Sequence, residues 1–203
     1  NFFRAGASSG TIAKAMSAYD KDFSDAIYGI EEDGRYVTES RLRKMLTHEI
    51  NLVEQRLNRE KHPDKLFFSY ANTVATIDFA KQFKGHGWVG IVYQVEPDAD
   101  YNEIILHIRF KENDAKLQQE TLGILGVNLI HGAFYKYNDP KKLLRYLYDH
   151  LDKDQLEIDT INFSGPRFAN VDNRLMSLQL VKNGMTDAVM FNPEGKNILP
   201  AAV

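Results

Sequence analysis

The chain has 203 residues, 43% hydrophobic and 26% charged, with a net charge of −3 when histidine is neutral. That length supports one domain with a real core, and the composition excludes wholesale disorder and argues against a dedicated nucleic-acid surface, which needs a basic face. There is no cysteine, which excludes disulfides, thiolate metal centres and cysteine nucleophiles, and no stretch approaches about 18 uninterrupted apolar residues, so no membrane span is expected.

The chain opens on Asn1-Phe2-Phe3, without an initiator methionine or a signal-like apolar run, and closes on Ile198-Leu199-Pro200-Ala201-Ala202-Val203. It reads as a single mixed α/β domain, 1–203, of a longer cytoplasmic protein. Phe2-Phe3 can end a strand that enters the turn Arg4-Ala5-Gly6-Ala7-Ser8-Ser9-Gly10-Thr11. A helix carrying Ile12, Met16 and Tyr19 on one stripe is expected next. Glycines permit a tight turn, and the unpaired N–H groups of a helix start attract anions. Arg4, Gly6, Ser8, Ser9, Gly10, Thr11 and Lys14 are therefore candidate ligands for a phosphate or carboxylate. An ordinary tight connection with a serine cap is the alternative. The turn is not a Walker A loop, because Gly10 is followed by Thr11 and the first lysine is Lys14.

Residues 21–37 read as a connector. Thr38 can cap a helix over 39–61 with Leu42, Met45, Leu46, Ile50, Val53 and Leu57 on its apolar stripe, ended by Pro63. Its other face, with Arg41, Lys44, His48, Glu54 and Arg59, is expected in solvent. Strands are expected over 66–76, 88–95 and 103–110, the last two joined as an antiparallel hairpin through Pro97-Asp98-Ala99-Asp100. In the third, Ile104, Leu106, Ile108 and Phe110 share one face, and Ile105, His107 and Arg109 the other. The segment 116–135 suits a helix through Leu122, Leu125, Leu129 and Ala133, weakened by Gly123, Gly126 and Gly132 unless these allow close packing. Asp139-Pro140 opens a helix over 140–151, and a strand over 156–163 closes at Ser164-Gly165-Pro166. Asp172 can cap a helix over 173–183 that ends at Gly184, before a last strand over 187–191 and the turn Asn192-Pro193-Glu194-Gly195. The order helix, helix, strand, helix, strand favours a parallel pair, while the hairpin is antiparallel. The fold class is α/β or α+β: a mixed sheet with an antiparallel hairpin, flanked by helices.

His86, between two glycines and before Trp88, is the candidate general acid or base, because imidazole titrates near neutrality. His107 and Arg109 on one strand face are candidates for holding an anion. Asp172 and Arg174 open a helix at a second strand–loop–helix end and are the remaining candidates, as a base, cap or magnesium ligand and as a cation. Each has a plain structural alternative: core packing, a polar strand face, or a helix cap. Asn72 and Thr73 read as a sheet edge or a ligand-facing strand end. His131, with Asn128 and Tyr135 at helical spacing, reads as a satisfied helix histidine. No histidine–carboxylate spacing suits zinc, and Ser164 lacks a G-x-S-x-G setting.

Several phrases together carry a resemblance: Arg4 to Lys14, Ser17-Ala18-Tyr19-Asp20, His86-Gly87-Trp88, Gly126-Val127-Asn128-Leu129-Ile130, Phe163-Ser164-Gly165-Pro166 and Val171-Asp172-Asn173-Arg174-Leu175-Met176. They resemble a bacterial family whose longer members are loosely labelled nicotinate-nucleotide adenylyltransferase or TonB-dependent receptor. The resemblance spans nearly the whole chain and brings no functional residues with it. The receptor label implies a closed barrel of many strands, which the helical stripes here do not suit. The transferase label implies a mixed α/β body, although Gly85-His86-Gly87 is not the His-x-Gly-His signature of nucleotidyltransferases.

Two leading functions follow as expectations, with a third behind them. One is a nucleotide- or phosphate-metabolite-binding domain of a transferase, with magnesium only if Asp20 or Asp172 converges on the cleft. The other is a non-catalytic structural or protein-interaction domain. An enzyme acting on small acidic substrates is a third. Expected partners are a phosphorylated small molecule or nucleotide and the remaining domain of the same protein.

Overall fold

Four strands form the centre of the molecule: β1 (Phe68–Ala75), β2 (His86–Tyr93), β3 (Asn102–Phe110) and β4 (Leu156–Ser164). The structure, a computed structural model, describes residues 4, 6, 8–80 and 84–199. The strands lie in the order β1-β2-β3-β4, and every neighbouring pair is antiparallel. Asn72 and Thr73 sit on the edge strand β1, and the Thr73 hydroxyl donates to the Tyr36 carbonyl.

The expected parallel pair does not form. The connection leaves β3 at Phe110 and enters β4 at Leu156, which is its cross-strand partner. A chain that returns to the end of the sheet it left must run antiparallel in its next strand. Two helices make that return, α3 (Ala115–Tyr135) and α4 (Pro140–Tyr146). Asp114 caps α3 by accepting from Leu117 N–H at 2.9 Å, and the three glycines leave the helix continuous. Gly132 has a packing reason: a Cβ there would lie 3.2 Å from Leu143 Cγ of α4. Asn128 donates to the carbonyls of Leu147 and Asp149, while His131 packs against Tyr135 and Tyr146.

One face of the sheet carries Val89, Ile91, Leu106, Ile108, Ile158 and Ile161, packed on Leu125 and Leu129 of α3, Leu143 and Leu144 of α4, and Met176 and Leu180 of α5 (Asn173–Lys182). The opposite face carries Ala71, Trp88 and Ile105 beneath Leu42 and Leu46 of α2 (Glu39–Arg56). Thr38 caps α2 as expected, accepting from Arg41 N–H at 3.1 Å, and Asp139 and Asp172 cap α4 and α5. The last turn expected for the first of these helices is a separate 3-10 turn, Arg59–Lys61. Residues 187–191 contribute only β5 (Met190–Phe191), which pairs with β6 (Asn197–Ile198) as a small separate hairpin around Asn192–Gly195.

Two further expectations are corrected. The connector contains a helix, α1 (Lys21–Tyr28), capped by Asp20. Arg41, expected in solvent, is only 1% exposed. Its guanidinium donates to the carbonyls of Gly29 and Ser24, to Ser24 Oγ and to Glu31, and lies near the rings of Tyr28 and Tyr36. Five fixed donors let one arginine satisfy the end of α1 and the loop beyond it at once. No helix among the described residues is long and apolar enough to cross a membrane.

Candidate functional site

Alternation along the strands puts His86 and Trp88 of β2 on the same face as His107 and Arg109 of β3. His86 lies opposite Arg109, and Trp88 opposite His107. The third contributor comes from an irregularity. In β4, Thr160 pairs with His107 and Ile158 pairs with Ile108, so Asp159 is an extra residue, a β-bulge. A bulge re-aims a side chain, and here it delivers a carboxylate to two partners. Asp159 Oδ1 lies 2.7 Å from His107 Nδ1, and Oδ2 accepts from Arg109 Nε at 2.8 Å. His107 Nε2 lies 3.1 Å from His86 Nδ1, and the Trp88 ring packs 4.9 Å from the His107 ring, centre to centre. His107 and Asp159 are buried, His86 is half-buried, and the Arg109 side chain is 35% exposed.

His86 is not in a loop before the strand; it is the first residue of β2. Its flanking glycines serve the sheet. A Cβ at Gly87 would lie 2.6 Å from the Thr73 carbonyl oxygen and 2.5 Å from Val74 Cγ2, so glycine is what lets β1 come this close.

Burial holds the His86 pKa below the usual histidine value, helped by the neighbouring His107 and Arg109 and opposed by Asp159. A histidine whose folded pKa lies below its unfolded value binds fewer protons folded than unfolded as pH falls through about 6.5. Its contribution to stability is therefore complete above that pH and is lost as pH drops toward the folded value. Between pH 7.5 and 5, the wild type should lose more stability than His86→Gln, read by urea unfolding at each pH. Parallel pH profiles for the two proteins would contradict this.

Beside the cluster is a cavity of about 680 Å³. Trp88, Thr160 and Asn162 line it on the sheet side, Arg43 of α2 on another, Asp172 and Arg174 at the start of α5, and Glu194 and Lys196 on the β5–β6 turn. Thr160 is only 8% exposed, and its hydroxyl has no hydrogen-bond partner among the described residues. Arg43 pairs with Glu39 and Glu103. Arg174 pairs with Asp172 at 2.9 Å, and this bond holds the Asp172 carboxyl below the usual range. The side chains of Lys196 and Glu194 have no ion-pair partner among the described residues.

The expected site residues thus fall into three places. His86, His107 and Arg109 come together. Asp172 and Arg174 come together in the cavity, whose lining includes Trp88 but not His86. The opening turn stands apart from both, and its expected helix start is absent: residues 12–19 are not helical. Thr11 N–H and Ile12 N–H both donate to the Ser8 carbonyl, which turns the chain without starting a helix. Lys14 is committed to Glu49 of α2 at 2.9 Å. Arg4, Gly6, Ser9, Gly10 and Thr11 are exposed and Ser8 half-buried, and none of these lines the cavity. Phe2 and Phe3, the expected strand end, lie outside the described residues.

Magnesium does not fit these residues. Asp20 caps α1, and both carboxylate oxygens of Asp172 bond to Arg174. Among the described residues no three histidine or carboxylate side chains gather as metal ligands. Asp159 was missed from the sequence, although its signal is there: the buried apolar positions of β4 shift phase from Leu156 and Ile158 to Ile161 and Phe163. Comparison with known family models, curated proteins and solved structures finds no match to this chain.

Proposed function

We propose that this chain is a binding domain for a nucleotide or another phosphorylated metabolite, held in the cavity over Trp88, within a transferase. The observation that carries the reading is the cavity itself. It puts an aromatic ring, the start of a helix and a hydroxyl unpartnered among the described residues around one space, with Lys196 as a cation that no carboxylate among those residues neutralises. An aromatic side chain offers a face for a base or sugar, and cations with helix N–H groups suit a phosphate. The family resemblance carrying the adenylyltransferase label points the same way.

Trp88 is the single tryptophan of the chain, so its fluorescence reports the cavity directly. Titration with AMP, ATP, pyrophosphate and ribose 5-phosphate should give a saturable change with at least one of them. Lys196→Ala should weaken that binding about five-fold, the ~1 kcal/mol of a charge-assisted contact near solvent. Glu194→Gln, which removes the unpaired carboxylate, should tighten it. A flat response to all four at millimolar concentration removes the reading. A protein-interaction domain is then the second reading, favoured by Leu175 and Leu178, three residues apart on α5 and both exposed.

A further inference from the structure

We propose that the depression where the end of α3 meets α4 is a second binding site, for a compact polyanion with two or more adjacent phosphates. It does not rest on the reading of the cavity over Trp88. α3 and α4 pack on the face of the sheet that carries Val89 and Leu106, and Trp88 belongs to the cluster on the opposite face.

The depression has a volume of about 480 Å³ and is lined by Lys136, Lys142, Arg145, Tyr146, Tyr148 and Asp149. Three cations thus share one concave wall, and none of them has an ion-pair partner among the described residues. Elsewhere in the molecule Arg41, Arg43, Arg59, Arg109, Arg167 and Arg174 each pair with a carboxylate. The acid of the wall, Asp149, accepts from the Tyr146 hydroxyl and lies 3.9 Å from His150 Nε2. Like charges three and four residues apart on a helix repel, and Arg145 meets this with both Lys142 and Lys141. In a chain of net charge −3 this is a local positive excess, which a bound anion relieves.

Aromatic groups hold the wall in place. His131 packs between Tyr135 and Tyr146, with ring centres 4.7 and 4.9 Å away, and the Lys136 ammonium lies 5.3 Å from the Tyr146 ring centre. Lys136 is half-buried, and the Tyr148 hydroxyl donates to the Leu156 carbonyl at 2.8 Å. An arginine fork grips phosphate oxygens in pairs, and lysines add point charges around it. A single phosphate group carries at most about −2, so three cations suit a chain of phosphates better than one.

A titration with inorganic tripolyphosphate tests the site. Amide shifts in ¹H–¹⁵N spectra read it residue by residue, while Trp88 emission reports the cavity separately. Amides over 136–149 should shift saturably. ATP, which brings the same phosphate chain, should shift the same amides. Lys142→Ala and Arg145→Ala should each weaken tripolyphosphate binding about five-fold, and Lys142→Glu about ten-fold or more. These variants should keep or raise the midpoint of unfolding, because they relieve like-charge repulsion, so lost binding is not lost folding. Lys116→Glu, exposed at the opposite end of α3, makes the same change in net charge and should bind as the wild type does. No saturable shift over 136–149 at millimolar tripolyphosphate overturns the proposal. So do shifts with ATP alone, which would mean that the phosphates are not what is read. Equal weakening by Lys142→Glu and Lys116→Glu also overturns it, as the mark of a diffuse charge effect.

Discussion

Arg41→Ala should destabilise the protein by about 3–5 kcal/mol, the cost of breaking a buried charged network by removing one partner. The variant strips the carbonyls of Gly29 and Ser24, the Ser24 hydroxyl and the Glu31 carboxylate of their shared donor, and takes the cation from beside Asp25. It also removes the guanidinium lying near the Tyr28 and Tyr36 rings. Lys44 also holds Glu31, so that carboxylate keeps one cation. Arg41→Lys should recover little, because a point charge with three donors cannot serve partners spread across α1 and the loop after it. Chemical denaturation measures the loss. Hydrogen exchange locates it, with α1 amides deprotected first. A loss below about 0.5 kcal/mol, the usual range of a surface substitution, would mean that Arg41 does not hold α1 in place.

Leu46→Ala should cost about 2–5 kcal/mol, the range for emptying a fully buried leucine site. Leu46 is 0% exposed and packs α2 onto the sheet in a small cluster with Leu42, Ala71, Trp88 and Ile105. This cluster has few members, so there is little nearby mass to collapse into the void. The same helix brings Arg43 to the cavity wall. Loosening it should admit water near Trp88, and the tryptophan emission should move to longer wavelength. Leu46→Met, of similar volume, should cost less than about 1.5 kcal/mol and leave the emission in place. An unchanged midpoint of unfolding for Leu46→Ala would show that α2 is held by its polar contacts rather than by this cluster.

Helix starts were the most legible features of the sequence. Thr38, Asp139 and Asp172 are caps whose side chains act within three residues, so no distant contact is needed to place them. The even-numbered stripe of β3 was legible for the same reason, since alternation is a local property of an extended chain. The opening turn misled because glycine and serine chemistry is compatible with a helix start but does not require one. Lys14 is drawn to Glu49, 35 residues away, and that partner is not visible locally. Arg41 misled in the opposite sense. A charged residue opposite an apolar stripe is expected in water, and only α1 folding back over it supplies the partners that make burial tolerable.

The sequence by itself therefore determined α2 to α5 in outline, the caps of α2, α4 and α5, the faces of β3 and the mixed class, because propensity, capping and periodicity act within a few residues. Tertiary structure alone decided the strand order, the antiparallel return of β4 and the meeting of His86, His107, Arg109 and Asp159. Those four side chains come from three strands, and their distances depend on register and on one extra residue in β4. A one-residue shift in register would point these side chains at the other face, and register is set by the packing of the whole sheet rather than by any segment of it.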